Sequence, residues 1–108
     1  MTAPPLLKRD AIDRALADLP GWTLSDGKLR REYRFASFVD AFGWMASAAL
    51  VAEAAQHHPE WRNCYGLVSI ELTTHDSGGI TQKDLDLARR MELLFLRHVS
   101  AASLPDSR

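Results

Sequence analysis

The run Leu67-Val68-Ser69-Ile70-Glu71-Leu72-Thr73-Thr74 is the clearest strand signal in the chain, because Val68, Ile70 and Leu72 alternate with Ser69, Glu71 and Thr73. His57-His58-Pro59 and the turn residues Tyr65-Gly66 precede it, and His75-Asp76-Ser77-Gly78-Gly79 follows as a loop by composition. Residues 53–84 thus hold three of the four histidines and the only cysteine around one strand. A histidine pair closed by proline, followed by a strand ending in histidine, can bring three imidazoles together.

The remainder of the chain reads as scaffold for this stretch. Residues 1–8, with two adjacent prolines, are expected to fray. Residues 10–19 place Ile12, Ala15, Leu16 and Leu19 at helical spacing, and Pro20-Gly21 stops that helix. Residues 22–25 and 28–35 flank Asp26-Gly27, a favoured two-residue hairpin turn. Leu29, Tyr33 and Phe35 alternate with polar residues there, although Arg31 breaks the pattern. Ser37 is an N-cap candidate for a long helix with Asp40 in its first turn.

The expected apolar stripe of that helix is Phe38, Phe42, Met45, Ala46, Ala49, Leu50 and Glu53, widened by Trp44, Ala48 and Val51. Burial on two sides is implied, and an oligomer contact is a natural use for the second. Pro59 is expected to end the helix. Residues 61–64 form a short strand. Thr81 caps a last helix from Gln82 to about Val99, covered by Leu85, Ala88, Leu93, Phe95 and Leu96, with a loose tail from Ala101 to Arg108. The order α-β-β-α-β-β-α predicts an α+β single domain over 1–108, with its core at about 10–99. It comprises a four-stranded antiparallel sheet with helices on one face.

At 108 residues the chain can bury one real core. A net charge of −1 provides no bulk field toward nucleic acid or an acidic membrane, so neither is an expected partner. One cysteine excludes an internal disulfide. Residues 1–8 lack a basic region ahead of an apolar run, unlike a signal peptide, and the apolar-rich segment 35–55 reads as a buried helix. The expected location is the cytoplasm.

His57 and His58 have two readings: a cation pair suited to a helix C-terminus, or proton-transfer groups working with His75. Zinc needs convergent ligands, and the H-x-x-x-H spacing that sets imidazoles side by side is absent, so no metal is expected. Glu53, four residues before His57, tunes an imidazole or forms an ordinary surface pair. Thr81-Gln82-Lys83-Asp84 has the form of a capping box, so Asp84 either caps the helix or faces the histidines. Trp22 and Trp61 are core residues or aromatic walls for a flat ring. Cys64 is expected to pack inertly, and Gly78-Gly79 to form a turn.

Glu53-x-x-x-His57-His58-Pro59, then Tyr65, His75 and Asp84, resemble the signature of pterin-4a-carbinolamine dehydratases. Pro20-Gly21-Trp22, Phe38-x-x-Ala41-Phe42, Pro59-Glu60-Trp61, Thr73-Thr74-His75 and Gly79-x-Thr81-x-x-Asp84 resemble further features of that family, over roughly residues 12–99. The resemblance implies a hydro-lyase without cofactor or metal. It would dehydrate 4a-hydroxytetrahydropterin, the product left by aromatic amino acid hydroxylases, to quinonoid dihydropterin and water, recycling the tetrahydropterin.

By the same resemblance, His57 and His75 carry acid–base roles, and His58 positions the ring and shares the proton work. Glu53 and Asp84 tune the imidazoles. Gln56, Pro59, Thr73, Thr74 and Asp76 border the pterin, and Trp22 forms part of its wall. Gln56 departs from the acid found there in animal members. The family also implies a homodimer or homotetramer and a functional link to an aromatic amino acid hydroxylase. The competing expectation is a non-catalytic pterin-binding or protein-interaction member of the same fold.

Overall fold

The Asp26-Gly27 turn has positive φ at both positions (53° and 74°), which matches the twist of the two strands it joins. These are β1 (Thr23–Ser25) and β2 (Lys28–Arg34). The other elements are α1 (Arg9–Leu16), α2 (Phe38–Ala55), β3 (Glu60–Cys64), β4 (Leu67–Leu72) and α3 (Gln82–Ser103). A single 3-10 turn, His75–Ser77, lies between β4 and α3. The structure is a computed structural model that describes residues 2–103.

The strands form one antiparallel sheet in the order β1-β2-β4-β3. The register pairs Leu29 with Leu72, Arg31 with Ile70 and Tyr33 with Val68. Side chains alternate across a strand, so Leu29, Tyr33, Val68, Ile70 and Leu72 share the face that α2 and α3 cover, and all five are buried. The opposite face carries Arg30, Glu32, Glu60, Arg62, Ser69 and Glu71. This is the α+β arrangement that the strand alternation predicts.

Arg31 interrupts the hydrophobic alternation because it serves the core as a cation. Its guanidinium lies 4.2 Å from the centre of the Tyr33 ring, and its Nε is 3.5 Å from Glu92 Oε1. The same Glu92 oxygen accepts from the Tyr33 hydroxyl (2.6 Å) and from Trp22 Nε1 (3.1 Å). One carboxylate on α3 therefore anchors β2 and the segment leading into β1. Burial first, and then the Glu92 hydrogen bond, push the Tyr33 phenol far above its ordinary range, so it stays a neutral donor.

Helix α2 departs from the expected stripe. Its buried residues are Ala41, Trp44, Ala48 and Ala52, whereas Phe38, Phe42 and Leu50 are exposed. Apolar residues occur nearly all round this helix, so periodicity does not choose a face. Small alanines allow α2 close approach to its neighbours, and the bulky residues turn outward. By length and composition α2 is also long and apolar enough to cross a membrane (mean hydropathy 1.3). Ser37 caps it as expected, accepting from the Asp40 amide. On α3 the buried apolar set is Leu85, Leu87, Ala88 and Met91, while Leu93 and Leu96 are exposed.

Further boundaries differ from the sequence reading. Helix α1 stops at Leu16, because the Asp18 and Leu19 amides bond three residues back and tighten the chain ahead of Pro20. The segment before α1 is attached rather than frayed: the Leu7 amide donates to Ile80 O at 2.9 Å. Cys64 is exposed on edge strand β3. Ala101, Ala102 and Ser103 end α3, and residues 104–108 of the expected tail lie outside the described residues.

Glu92→Ala would strip the shared acceptor from Trp22 and Tyr33 and leave Arg31 without its counterion. The expected cost is about 2–4 kcal/mol of stability. Urea denaturation followed by tryptophan fluorescence measures it, and Glu92→Gln, which keeps an acceptor, should lose less.

Candidate active site

The way α2 ends decides where the first two histidines go. Gln56 adopts the left-handed conformation (φ 51°), its amide donates to Glu53 O (3.0 Å), and the His57 amide donates to Ala52 O (3.1 Å). This is a Schellman closure with glutamine where glycine is usual. The helix stops at Gln56, three residues before Pro59, so proline is not what ends it.

Leaving the helix changes the partners expected from spacing. Glu53 contacts His58, five residues on, with His58 Nε2 2.8 Å from Glu53 Oε1, and both side chains are exposed. His57 turns inward. Its ring is nearly buried, and its Nε2 lies 2.6 Å from Oδ1 of Asp84, which is 0% exposed.

Asp84 does both things that its sequence position allowed. Its Oδ2 accepts from the Thr81 amide (2.8 Å), as a capping box requires, and from the Thr74 hydroxyl (2.7 Å). The Thr74 and Thr81 hydroxyl oxygens are themselves 2.8 Å apart, and Thr81 Oγ1 accepts from the Lys83 amide (3.3 Å). The start of α3, the exit of β4 and the exit of α2 therefore meet on one carboxylate.

His75 stands immediately after Thr74, in the 3-10 turn that the Thr74–Gly79 bridge closes. Its Nε2 is 3.0 Å from Glu60 Oε1, and Glu60 Oε2 is 3.1 Å from Lys28 Nζ. The Lys28 ammonium first, and His75 to a lesser extent, hold the Glu60 carboxyl below the usual glutamate range. Glu60 sits two residues after His58, so this contact brings the β4 exit against the α2–β3 linker. Each of the three imidazoles thus meets its own carboxylate through Nε2. No hydrogen bond to an Nδ1 is present among the described residues.

The other expected site residues divide. Pro59 lies half-buried between His58 and Glu60, and Thr74 is a direct partner of Asp84. Gln56 and Asp76 are exposed beside the histidines in the chain. The Thr73 hydroxyl donates to Gly27 O (3.3 Å) at the hairpin turn. Trp22 is placed elsewhere: it is buried edge-on against Tyr33 and bonded to Glu92.

Sequence reasoning gave no role to Glu60 or Lys28. Strand alternation could have put Glu60 on the open face, but its pairing with His75 needs the fold. A hollow of about 730 Å³ lies on that open face, lined by Arg30, Arg62, Ser69 and Glu71 among others, and Glu60 joins it to the histidine cluster. Among the described residues no three His, Cys, Asp or Glu side chains form a group able to hold a metal ion.

An α+β domain with three imidazole–carboxylate pairs at one end of its sheet is equipped for proton transfer. The family model described as Pterin 4 alpha carbinolamine dehydratase matches residues 5–94. Relatives from Prochlorococcus marinus (strain MIT 9303) and Solibacter usitatus (strain Ellin6076) carry that enzyme name provisionally. The first is 53% identical over 94 residues, covering 87% of this chain and 97% of its own. The second is 53% identical over 88 residues, covering 82% and 93%. A crystal structure described as a transcriptional coactivator/pterin dehydratase from Brucella melitensis superposes with a TM-score of 0.80 at 41% identity, covering 82% of this chain and 97% of that one. The chain belongs to the pterin-4a-carbinolamine dehydratase family, a family of hydro-lyases.

The left-handed glutamine carries a conformational cost of roughly 1–2 kcal/mol that glycine would not pay. Gln56→Gly is therefore expected to raise stability by up to about 1 kcal/mol, the rest offset by added unfolded-state entropy, whereas Gln56→Val should lower it. Urea midpoints of the two variants check the sign.

Proposed function

We propose that this protein dehydrates a 4a-hydroxytetrahydropterin to quinonoid dihydropterin and water by histidine general acid–base catalysis. The C4a–O bond breaks as a proton reaches the departing hydroxyl. The N5 proton leaves, and its electron pair forms the N5–C4a double bond. Two positioned imidazoles are needed, one to donate and one to accept, and such assistance contributes roughly 10²–10⁴-fold.

The observation that carries this reading is the common use of Nε2 by His57, His58 and His75 to hold Asp84, Glu53 and Glu60. Each Nδ1 is thereby left for substrate. His57 and His75 carry the two proton transfers, while His58, the pair partner of exposed Glu53, positions the ring and shares the proton work. Thr73, Thr74, Asp76, Gln56 and Pro59 border the pterin. Trp22 supports the site from the core rather than by direct contact with the histidines. An aromatic amino acid hydroxylase in the same cytoplasm would supply the substrate, and the reaction would return its cofactor to the reducible state.

The test is decay of chemically generated 4a-hydroxytetrahydropterin, followed by absorbance with purified protein. Wild type should speed it, and His57→Ala and His75→Ala should each reduce kcat by about 10²-fold or more. Unchanged rates in both variants would overturn the site assignment. The Brucella protein's description as a coactivator favours a second reading, a pterin-binding or protein-interaction member without turnover. Tight pterin binding by wild type without accelerated decay would select it.

The exposed Phe38, Val39, Phe42 and Leu50 on α2, with Leu93, Leu96 and Val99 on α3, support assembly as a homodimer or homotetramer. Phe42→Glu combined with Leu50→Glu is expected to convert the assembly to monomer in sedimentation velocity. A wild type already monomeric at tens of micromolar would contradict the assembly.

A further inference from the structure

Glu60 and Glu71 are directly opposite each other on β3 and β4, on the open face of the sheet. Like charges at such a position cost stability, and a surface chosen for stability alone would pair a threonine or an opposite charge there. The arrangement is made tolerable by Lys28, whose ammonium lies 3.1 Å from Glu60 and 3.9 Å from Glu71, and by Arg30, which pairs with Glu71. Exposed pairs of this kind contribute little to stability, so the network is poorly explained as a brace.

Its geometry suits a different task. Glu60 turns one oxygen to Lys28 and the other to His75 Nε2. His75 is mostly exposed, and among the described residues Glu60 is its one side-chain hydrogen-bond partner. His57, by contrast, is fixed by burial as well as by Asp84. An exposed imidazole without a carboxylate would rotate freely about two side-chain torsions.

We propose that Glu60, steadied by Lys28, is the positioning residue for His75, holding its ring in one orientation with Nε2 protonated and Nδ1 presented to the pterin. This rests on the reading of His75 as a proton-transfer group. An ionised carboxylate is an acceptor only, so it demands a proton on Nε2 and leaves the lone pair on Nδ1. A glutamine at the same place offers both a donor and an acceptor and imposes neither tautomer. The Lys28 contact favours the ionised Glu60 carboxyl, so the demand, present at neutral pH in any case, extends below the usual glutamate range.

The experiment is a double-mutant cycle on the full chain, read as kcat and KM for the dehydration. Glu60→Gln should lower kcat about tenfold with KM changed less than twofold, Glu60→Asp should recover part of the loss, and Lys28→Met should give a smaller loss. In a His75→Ala background, Glu60→Gln should cause no further loss, because a residue acting only through His75 has nothing left to act on. Urea midpoints of the single variants should stay close to wild type, which separates positioning from folding.

Two results overturn the inference while the dehydratase reading stands. One is slow catalysis by His75→Ala with Glu60→Gln within twofold of wild type. The other is an equal loss from Glu60→Gln in both backgrounds. Normal turnover by His75→Ala would instead remove His75 from the chemistry, and this inference with it.

Discussion

The carboxylate of Asp84 is fully buried, and three chain segments depend on it. An isolated ionised carboxylate in such a place costs several kcal/mol, and only saturation by donors makes it tolerable. Thr81 supplies an amide, Thr74 a hydroxyl and His57 an imidazole N–H, all at 2.6–2.8 Å. The start of α3, the end of β4 and the residues after α2 are thereby fixed relative to one another. That is also where His57 and His75 enter the site. The capping of α3 and the seating of His57 share the same atoms here, so a change at Asp84 would disturb both.

The middle of α3 repeats the device with a different purpose. Glu92 gathers Trp22, Tyr33 and Arg31 two turns along the helix, but with no histidine in the set. Its role is to seat α3 on β2 and on the entry to β1. One helix therefore carries two inward-facing carboxylates, one at its capped end for the site and one in its middle for the core. The sheet is held at both ends, which gives the histidine cluster a rigid floor.

The three imidazole–carboxylate pairs differ in what surrounds them. His57–Asp84 is buried and over-determined by the threonines. His58–Glu53 and His75–Glu60 are exposed and rest on pair contacts, the latter extended to Lys28. Such a gradient suits the proposed dehydration, in which one imidazole is held firmly while a flat substrate passes the others. It also separates a buried pair whose loss would disturb the fold from two exposed pairs whose loss would leave the core intact.

Local chemistry in the chain was enough to specify the hairpin at Asp26-Gly27, the Ser37 and Thr81 caps, strand β4 and the element order. Each depends on neighbours a few residues away, through turn torsions, capping hydrogen bonds or side-chain alternation. The face that α2 buries was not legible, because a helix apolar on all sides has no preferred direction until the sheet and α3 present theirs. The partner of Glu53 was also misjudged from spacing, since the left-handed Gln56 breaks the helical register one residue before His57. The Asp84 question could not be closed locally, for its second oxygen meets a residue 27 positions away. Glu60 and Lys28 became visible only when β2, β4 and β3 lay side by side. The sequence by itself determined which chemical groups are available and where the chain turns. Tertiary structure decided which carboxylate serves which histidine, because contacts across strands and helix ends follow register and packing rather than separation along the chain.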